Sequence, residues 1–208
     1  MNFQLILQTL KKDALLRVSE HLLLVVVTMV ICIIIGVPFA IIFTRKKDSK
    51  ILKILLNVLS IFQSIPSFAF IALALPLLGI GFVPAIVALV AQSLLPIIRG
   101  SIVGLMDVDK SAIEAAKGMG MNKREILLDV ELPLAMHSIV NGIKTSTVYA
   151  TSAATLAGFI GSGGLGVLIS RGLSVMTTEY IIVGSILGAI IAIALDATLN
   201  KVKNKFIY

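Results

Sequence analysis

Charged residues are scarce in this chain of 208 residues, where Asp, Glu, Lys and Arg together make up 14%. A soluble domain carries roughly 25% charged residues, because water must solvate its surface. Apolar residues reach 58%, and the charges fall in clusters between long apolar runs. This pattern excludes a soluble globular domain and predicts an all-α integral membrane protein in which the apolar runs cross the membrane.

Other absences narrow the function. The sequence has no tryptophan and a single cysteine, Cys32, which cannot form a disulfide within the chain. It contains no phosphate-binding loop, no metal-ligand cluster and no nucleophile–base pair, so we expect no catalytic residue, metal or cofactor in this chain. The net charge of +7 arises from basic clusters that flank apolar runs. Such clusters orient a protein in an anionic membrane, so we expect membrane lipid and no nucleic acid as a partner.

Five apolar runs have the length of a membrane-crossing helix, at residues 22–43, 53–78, 82–105, 134–160 and 180–199. Residues 1–21 show apolar residues at helical spacing and predict an interfacial segment, with a frayed terminus as the alternative. Residues 22–208 then form the transmembrane domain. Lys and Arg follow the first, third and fifth runs, which predicts an outside amino terminus and a cytosolic carboxyl terminus. These basic residues are Arg45, Lys46, Lys47, Lys50, Lys53, Lys110, Lys117, Lys123, Arg124, Lys201, Lys203 and Lys205.

The second run contains Pro66, which lacks a backbone donor and predicts a kink or break beside Ser64. Broken helices often line transport pathways, but proline is also simply common in membrane helices. Ser64 and Pro66 are therefore candidate pathway residues, with an ordinary proline kink as the alternative.

The fourth run predicts close helix packing, because a small residue stands at every fourth position. Thr147, Thr151 and Thr155 run beside that face, one turn apart. Their hydroxyls either line a polar path or bond to carbonyls of their own helix. The small residues are Gly142, Ser146, Ala150, Ala154 and Gly158.

Charged residues inside the runs are few. Lys144 costs about 3 kcal/mol at a helix centre, so we expect it to snorkel to the cytosolic surface or to face water inside the bundle. Asp196 is the carboxylate within the runs, and we expect Lys201 and Lys203 to hold it at the cytosolic surface.

The segment Gly161–Gly166 matches a dinucleotide-binding pattern, but that pattern requires a strand before it and a helix after it in a βαβ unit. Here the segment follows a membrane helix. We interpret its glycines as a tight turn in which backbone segments pack closely.

The loop 106–133 is built like two short helices. Ser111 with Glu114 predicts a first capping box, and Asn122 with Glu125 predicts a second. Gly120 predicts the end of the first helix. Ala115 and Ala116 give that helix a small-residue surface that suits docking on a partner, and Pro133 starts the fourth span.

Two sets of residues carry a family resemblance. Glu114-Ala115-Ala116, then Gly120, then Val130-Glu131-Leu132-Pro133 resemble the EAA loop of binding-protein-dependent ABC importer permeases. Gln63–Ser67, Pro76–Gly81 and Gly161–Gly166 are similar to the permeases for glycine betaine, carnitine and choline.

The resemblance implies a type I importer in a bacterial cell membrane. Its partners would be a cytosolic ABC ATPase dimer that binds ATP and Mg²⁺, a second permease subunit, identical or different, and an extracytoplasmic binding protein. Glu114, Ala115, Ala116, Gly120, Leu132 and Pro133 would couple the ATPase to the spans. The solute would be a quaternary-ammonium osmoprotectant. An amino acid or another small solute, an ion-coupled carrier, and a non-transporting scaffold are the alternatives.

Overall fold

Helices form all the regular structure assigned in residues 13–45 and 50–206, the part of the chain that the computed structural model describes. The all-α prediction is confirmed. The helices are α1 (Leu15–Thr44), α2 (Lys50–Ser64), α3 (Ser67–Leu78), α4 (Phe82–Met106), α5 (Lys110–Gly118), α6 (Lys123–Glu125), α7 (Leu132–Ala157), α8 (Gly166–Ser174) and α9 (Thr178–Asn204). A π-helical segment, Ile126–Glu131, joins α6 to α7.

Four helical stretches in the described residues are long and apolar enough to cross a membrane, namely α1, α4, Lys123–Ile160 and α9. The pair α2 and α3 makes a fifth span if it is counted as one. Each predicted run thus has a helical counterpart. Helix α1 begins at Leu15 and runs without a break through residue 21, the predicted end of the interfacial segment. Residues 1–12, Lys46 and Lys47 lie outside the described residues.

The predicted break at Pro66 is confirmed. Helix α2 ends at Ser64, α3 begins at Ser67, and the two axes differ by 103°. Pro66 cannot donate a backbone hydrogen bond, so carbonyls of the preceding turn need other donors. The side-chain amide of Gln92 on α4 donates to the carbonyl of Ile65 at 3.4 Å. This contact fixes the break against the third span.

The predicted small-residue face of α7 packs against α4. A Cβ atom on Gly142 would lie 2.6 Å from the carbonyl oxygen of Pro96, so the two backbones touch. One turn later, the hydroxyl of Ser146 donates to the carbonyl of Ser93 at 2.5 Å. Ala150 is fully buried. The prediction that another helix lies against this face is confirmed.

The segment Gly161–Gly166 is a tight turn, as predicted. Gly166 touches α7, because a Cβ atom there would lie 1.8 Å from the carbonyl oxygen of Thr155. The carboxylate of Glu20 on α1 accepts a hydrogen bond from the backbone N–H of Gly164 at 2.8 Å. Helix α8 follows the turn and was not predicted. Within the segment, Gly161, Gly163 and Gly164 have φ between +77° and +84°.

Candidate functional site

Helix α5 is capped by Asp109. The Asp109 carboxylate accepts a hydrogen bond from the backbone N–H of Ser111 at 2.9 Å, and this bond holds the pKa of Asp109 below its usual range. The predicted capping box of Ser111 and Glu114 is wrong. The helix already begins at Lys110, so Asp109 occupies the cap position and Ser111 lies within the first turn.

The predicted end of α5 at Gly120 is confirmed. Gly120 has a φ of +83°, and its N–H donates to the carbonyl of Lys117 at 3.0 Å. The next N–H, from Met121, donates to the carbonyl of Ala116 at 3.1 Å. These two bonds form a Schellman motif, which ends a helix sharply. A Cβ atom on Gly120 would meet no atom within 4 Å, so the backbone conformation is what requires glycine.

The second capping box is confirmed. The Asn122 side chain accepts from the N–H of Glu125 at 3.1 Å, and the Glu125 carboxylate accepts from the N–H of Asn122 at 2.7 Å. The prediction of a separate second helix is wrong, however, because the helical stretch runs unbroken from Lys123 to Ile160. The π-helical turn before Pro133 widens the helix where the proline ring would clash with the carbonyl four residues earlier. The second half of the loop is therefore an extension of the fourth span.

Exposure divides the predicted coupling residues. Glu114 and Ala115 lie on the exposed face of α5, whereas Ala116 is 1% exposed and packs inward. The predicted small-residue surface is therefore right for Ala115 and wrong for Ala116. Leu132 and Pro133 are half-buried where α7 begins.

An ion pair that sequence reasoning missed connects this loop to the first span. Nη1 of Arg45 donates to Oε1 of Glu131 at 2.9 Å, and Nη2 donates to Oε2. The Glu131 hydrogen bond raises the pKa of Arg45. Glu131 belongs to the motif before Pro133 and Arg45 to the basic cluster after the first run, but 86 residues separate them, so no local spacing indicates the contact.

The ion pair borders a groove of about 680 Å³ at the end of α1. Its apolar residues come from α1, α5 and the π-helical segment, and basic side chains accompany them. The loop surface thus combines an apolar groove with positive charge. The further lining residues are Ile41, Ile42, Ile113, Lys117, Lys123, Arg124, Ile126 and Leu127.

The candidate pathway residues are not gathered at one site. Ser64 and Pro66 are exposed at the break between α2 and α3, and the Ser64 hydroxyl donates to the carbonyl of Ile61 at 2.8 Å. The hydroxyls of Thr147, Thr151 and Thr155 donate to carbonyls four residues earlier in α7, at 2.9, 2.7 and 3.4 Å. The self-bonding alternative is therefore what the structure contains. Thr151 and Thr155 also border a groove of about 410 Å³ between α7 and α9.

A bundle of membrane-crossing helices with a capped loop between the third and fourth spans defines a polytopic membrane subunit. The chain belongs to the family described as binding-protein-dependent transport system inner membrane component, whose model matches residues 36–201. It is therefore a transport subunit that spans the membrane several times.

Relatives match along most of their length. The choline transport system permease protein OpuBB of Bacillus subtilis (strain 168) is 41% identical over 96% of this chain and 91% of that protein. The glycine betaine/carnitine/choline transport system permease protein OpuCB of the same organism is 43% identical over the same shares. The carnitine transport permease protein OpuCB of Listeria monocytogenes is 37% identical over 92% of this chain and 87% of that protein.

The fold also matches a solved transporter. An inward-facing crystal form of the MetNI methionine ABC transporter has a chain that superposes with a TM-score of 0.80 at 20% identity, with both chains covered completely. At 20% identity, this similarity shows a shared fold and nothing further. The chain thus has the fold of a type I ABC importer permease, as predicted.

Proposed function

We propose that this permease imports small quaternary-ammonium osmoprotectants such as glycine betaine, carnitine or choline. The observation that carries the proposal is the 37–43% identity, over 92–96% of this chain, to three permeases named for these solutes. The three solutes share a trimethylammonium group. The predicted apolar runs contain one carboxylate, Asp196, and its Oδ1 lies 3.3 Å from the Lys144 ammonium. This pairing suits such solutes, because an unpaired carboxylate in a dry pore would trap a cation instead of releasing it.

A separate cytosolic ATPase dimer supplies the energy in this proposal, and it binds the ATP and Mg²⁺. Glu114 and Ala115 supply the exposed docking face, and Gly120 ends the helix that carries it. Two features make the loop stiff. Helix α5 is capped at both ends, and the second half of the loop is continuous with α7. Leu132 and Pro133 lie where that continuous helix enters the fourth span. Stiffness lets the loop transmit a displacement that a flexible linker would absorb.

The same proposal covers the arrangement in the membrane. The basic residues after the first, third and fifth spans favour an outside amino terminus and a cytosolic carboxyl terminus. A second permease subunit, identical or different, completes the pore, and an extracytoplasmic binding protein delivers the solute. The segment around Ser64 and Pro66 and the groove bordered by Thr151 and Thr155 are the proposed pathway regions. Thr147 is buried and supports packing.

Transport by the assembled system tests the proposal. The permease, its ATPase and its binding protein are reconstituted in vesicles, and uptake of labelled choline, glycine betaine and carnitine is measured with ATP or a non-hydrolysable analogue. We expect uptake of at least one of these solutes with ATP and no uptake with the analogue. Methionine as the sole solute would contradict the substrate class. Uptake driven by an ion gradient without ATP would favour a carrier, and the absence of any uptake would favour a scaffold.

A further inference from the structure

A stripe of polar residues lies exposed along α7. Asn141, Thr145, Tyr149 and Ser152 follow one another at spacings of four, four and three residues, so they share one face of the helix. All four are exposed, and Tyr149 is exposed to 47%. This face differs from the face of Thr147 and Thr151, which is buried.

Other spans expose many aliphatic side chains. On α1 and α9 they include large ones, which suit contact with lipid: Leu23, Val26, Val30, Ile34, Ile186, Ile190 and Ile193. The Thr145 hydroxyl donates to the carbonyl of Asn141 at 3.1 Å, but the side chains of Asn141 and Ser152 facing hydrocarbon would lose their hydrogen bonds to water. The polar stripe of α7 therefore does not face lipid.

A charged pair accompanies the stripe. The Lys144 ammonium lies 3.3 Å from Oδ1 of Asp196 and 3.3 Å from Oδ1 of Asn200, both on α9. The expectation that Lys201 and Lys203 hold Asp196 is corrected by this contact. The side chain of Asp196 remains 42% exposed. A half-exposed ion pair on membrane-crossing helices needs water beside it, because its remaining polar atoms would otherwise be desolvated.

The polar groups border two grooves between α7 and α9. Lys144, Tyr149 and Asp196 border a groove of about 280 Å³. Ser152, the last residue of the stripe, borders the neighbouring groove of about 410 Å³ together with Ser185 of α9. Both grooves lie along α7 and α9, and their lining residues include hydroxyl, amide and paired charged groups.

We propose that the stripe of Asn141, Thr145, Tyr149 and Ser152, with the Lys144–Asp196 pair, faces the water-filled solute pathway, and that the Tyr149 ring contacts the quaternary ammonium group as it passes. The substrate class rests on the proposed function. An aromatic face attracts such a cation without fixing it, because the interaction is weak at an exposed site. Because Lys144 neutralises Asp196, the wall carries no unpaired carboxylate to hold the cation.

Thiol accessibility tests which environment the stripe faces. In a background with Cys32→Ala, Thr145→Cys and Ser152→Cys are introduced one at a time, and Ile190→Cys on the aliphatic face of α9 is the control. The assembled transporter is treated with a charged, membrane-impermeant methanethiosulfonate. A cysteine in water forms the reactive thiolate, whereas one in lipid stays protonated. We expect the cysteines at the two stripe positions to be modified at least tenfold faster than the cysteine at position 190. We also expect choline or glycine betaine to slow the modification at the stripe positions.

Two results would overturn the proposal. Equal, slow modification at all three positions in every nucleotide state would mean that the stripe is not in water. Inert stripe cysteines that form disulfides between two copies of the chain would make the stripe a subunit contact. The modification pattern does not depend on the solute's identity. If wild-type transporter takes up no quaternary-ammonium solute, the proposed function fails while the thiol result still decides the pathway.

The contact of Tyr149 with the solute is tested by comparing Tyr149→Phe with Tyr149→Leu. The phenylalanine variant keeps an aromatic face and the leucine variant does not. We expect choline uptake to be about two- to fivefold slower with leucine than with phenylalanine. Equal uptake by both variants would overturn the assignment of Tyr149.

Discussion

Arg45 at the end of the first span and Glu131 at the start of the fourth hold each other by two parallel hydrogen bonds. Their exposure is unequal, because the Glu131 side chain is 6% exposed and that of Arg45 is 49% exposed. The pair joins the loop between the third and fourth spans to the first span. If the loop couples to an ATPase as proposed, this pair would transmit its displacement to the first span as well as to the fourth.

Unequal burial predicts unequal costs of removing each partner. Arg45→Ala leaves a buried carboxylate unpaired and should lower the free energy of unfolding by about 3 kcal/mol. Glu131→Gln leaves an arginine that water can solvate, and should cost about 1 kcal/mol. Thermal unfolding of the purified transporter measures both, with Arg124→Ala as an exposed control. Equal losses for the two variants would show that burial does not decide the effect.

Gly120 is expected to matter for coupling. Gly120→Val places a β-branched residue at a φ of +83° and should cost about 1–2 kcal/mol locally. No span changes, so membrane insertion should stay intact while solute-stimulated ATP hydrolysis and uptake fall together. Gly120→Asn is the control, because asparagine tolerates this conformation better. A valine variant that assembles normally and transports at the wild-type rate would show that α5 does not act as a lever.

Close packing of the third and fourth spans predicts different responses at two glycines. Gly142→Ala would bring a Cβ atom to 2.6 Å from the backbone oxygen of Pro96, so we expect a loss of about 1–3 kcal/mol. Gly188→Ala on α9 meets its nearest atom, Cδ1 of Leu165, at 4.0 Å and should be near neutral. The two variants are compared by measuring their unfolding temperatures in detergent. If Gly142→Ala leaves the unfolding temperature unchanged, the third and fourth spans can move apart at this point without loss of stability.

The cap at Asp109 predicts a pH dependence. The hydrogen bond from Ser111 lowers the pKa of Asp109 in the folded protein, so its contribution to stability is present above the unfolded pKa and disappears as the pH falls through the folded pKa. Asp109→Asn keeps a capping oxygen but does not titrate. The difference in Tm between wild type and Asp109→Asn should therefore shrink as the pH is lowered from 7 to 3. A difference that grows with acidification would contradict the cap.

Local signals predicted local structure well. The box at Asn122 and the end of α5 at Gly120 depend on residues within a few positions, and both were correct. The cap at Ser111 was wrong because Asp109, two residues earlier, competes for the same role and sequence does not rank the two. The separate second helix was wrong because a π-helical turn accommodates Pro133, and that accommodation depends on the whole length of α7.

Sequence patterns were enough to predict the membrane-crossing runs, the break at Pro66, the small-residue face of α7 and the family, because these features depend on residues that are close together along the chain. The packing of the helices shows which face of α7 is exposed, that Ala116 packs inward, and that Lys144 contacts Asp196 and Arg45 contacts Glu131. Lys144 and Asp196 are 52 positions apart in the sequence, and Arg45 and Glu131 are 86 positions apart. No periodicity within one helix specifies these contacts, because the rotation of each helix in the bundle follows from how all the helices pack together.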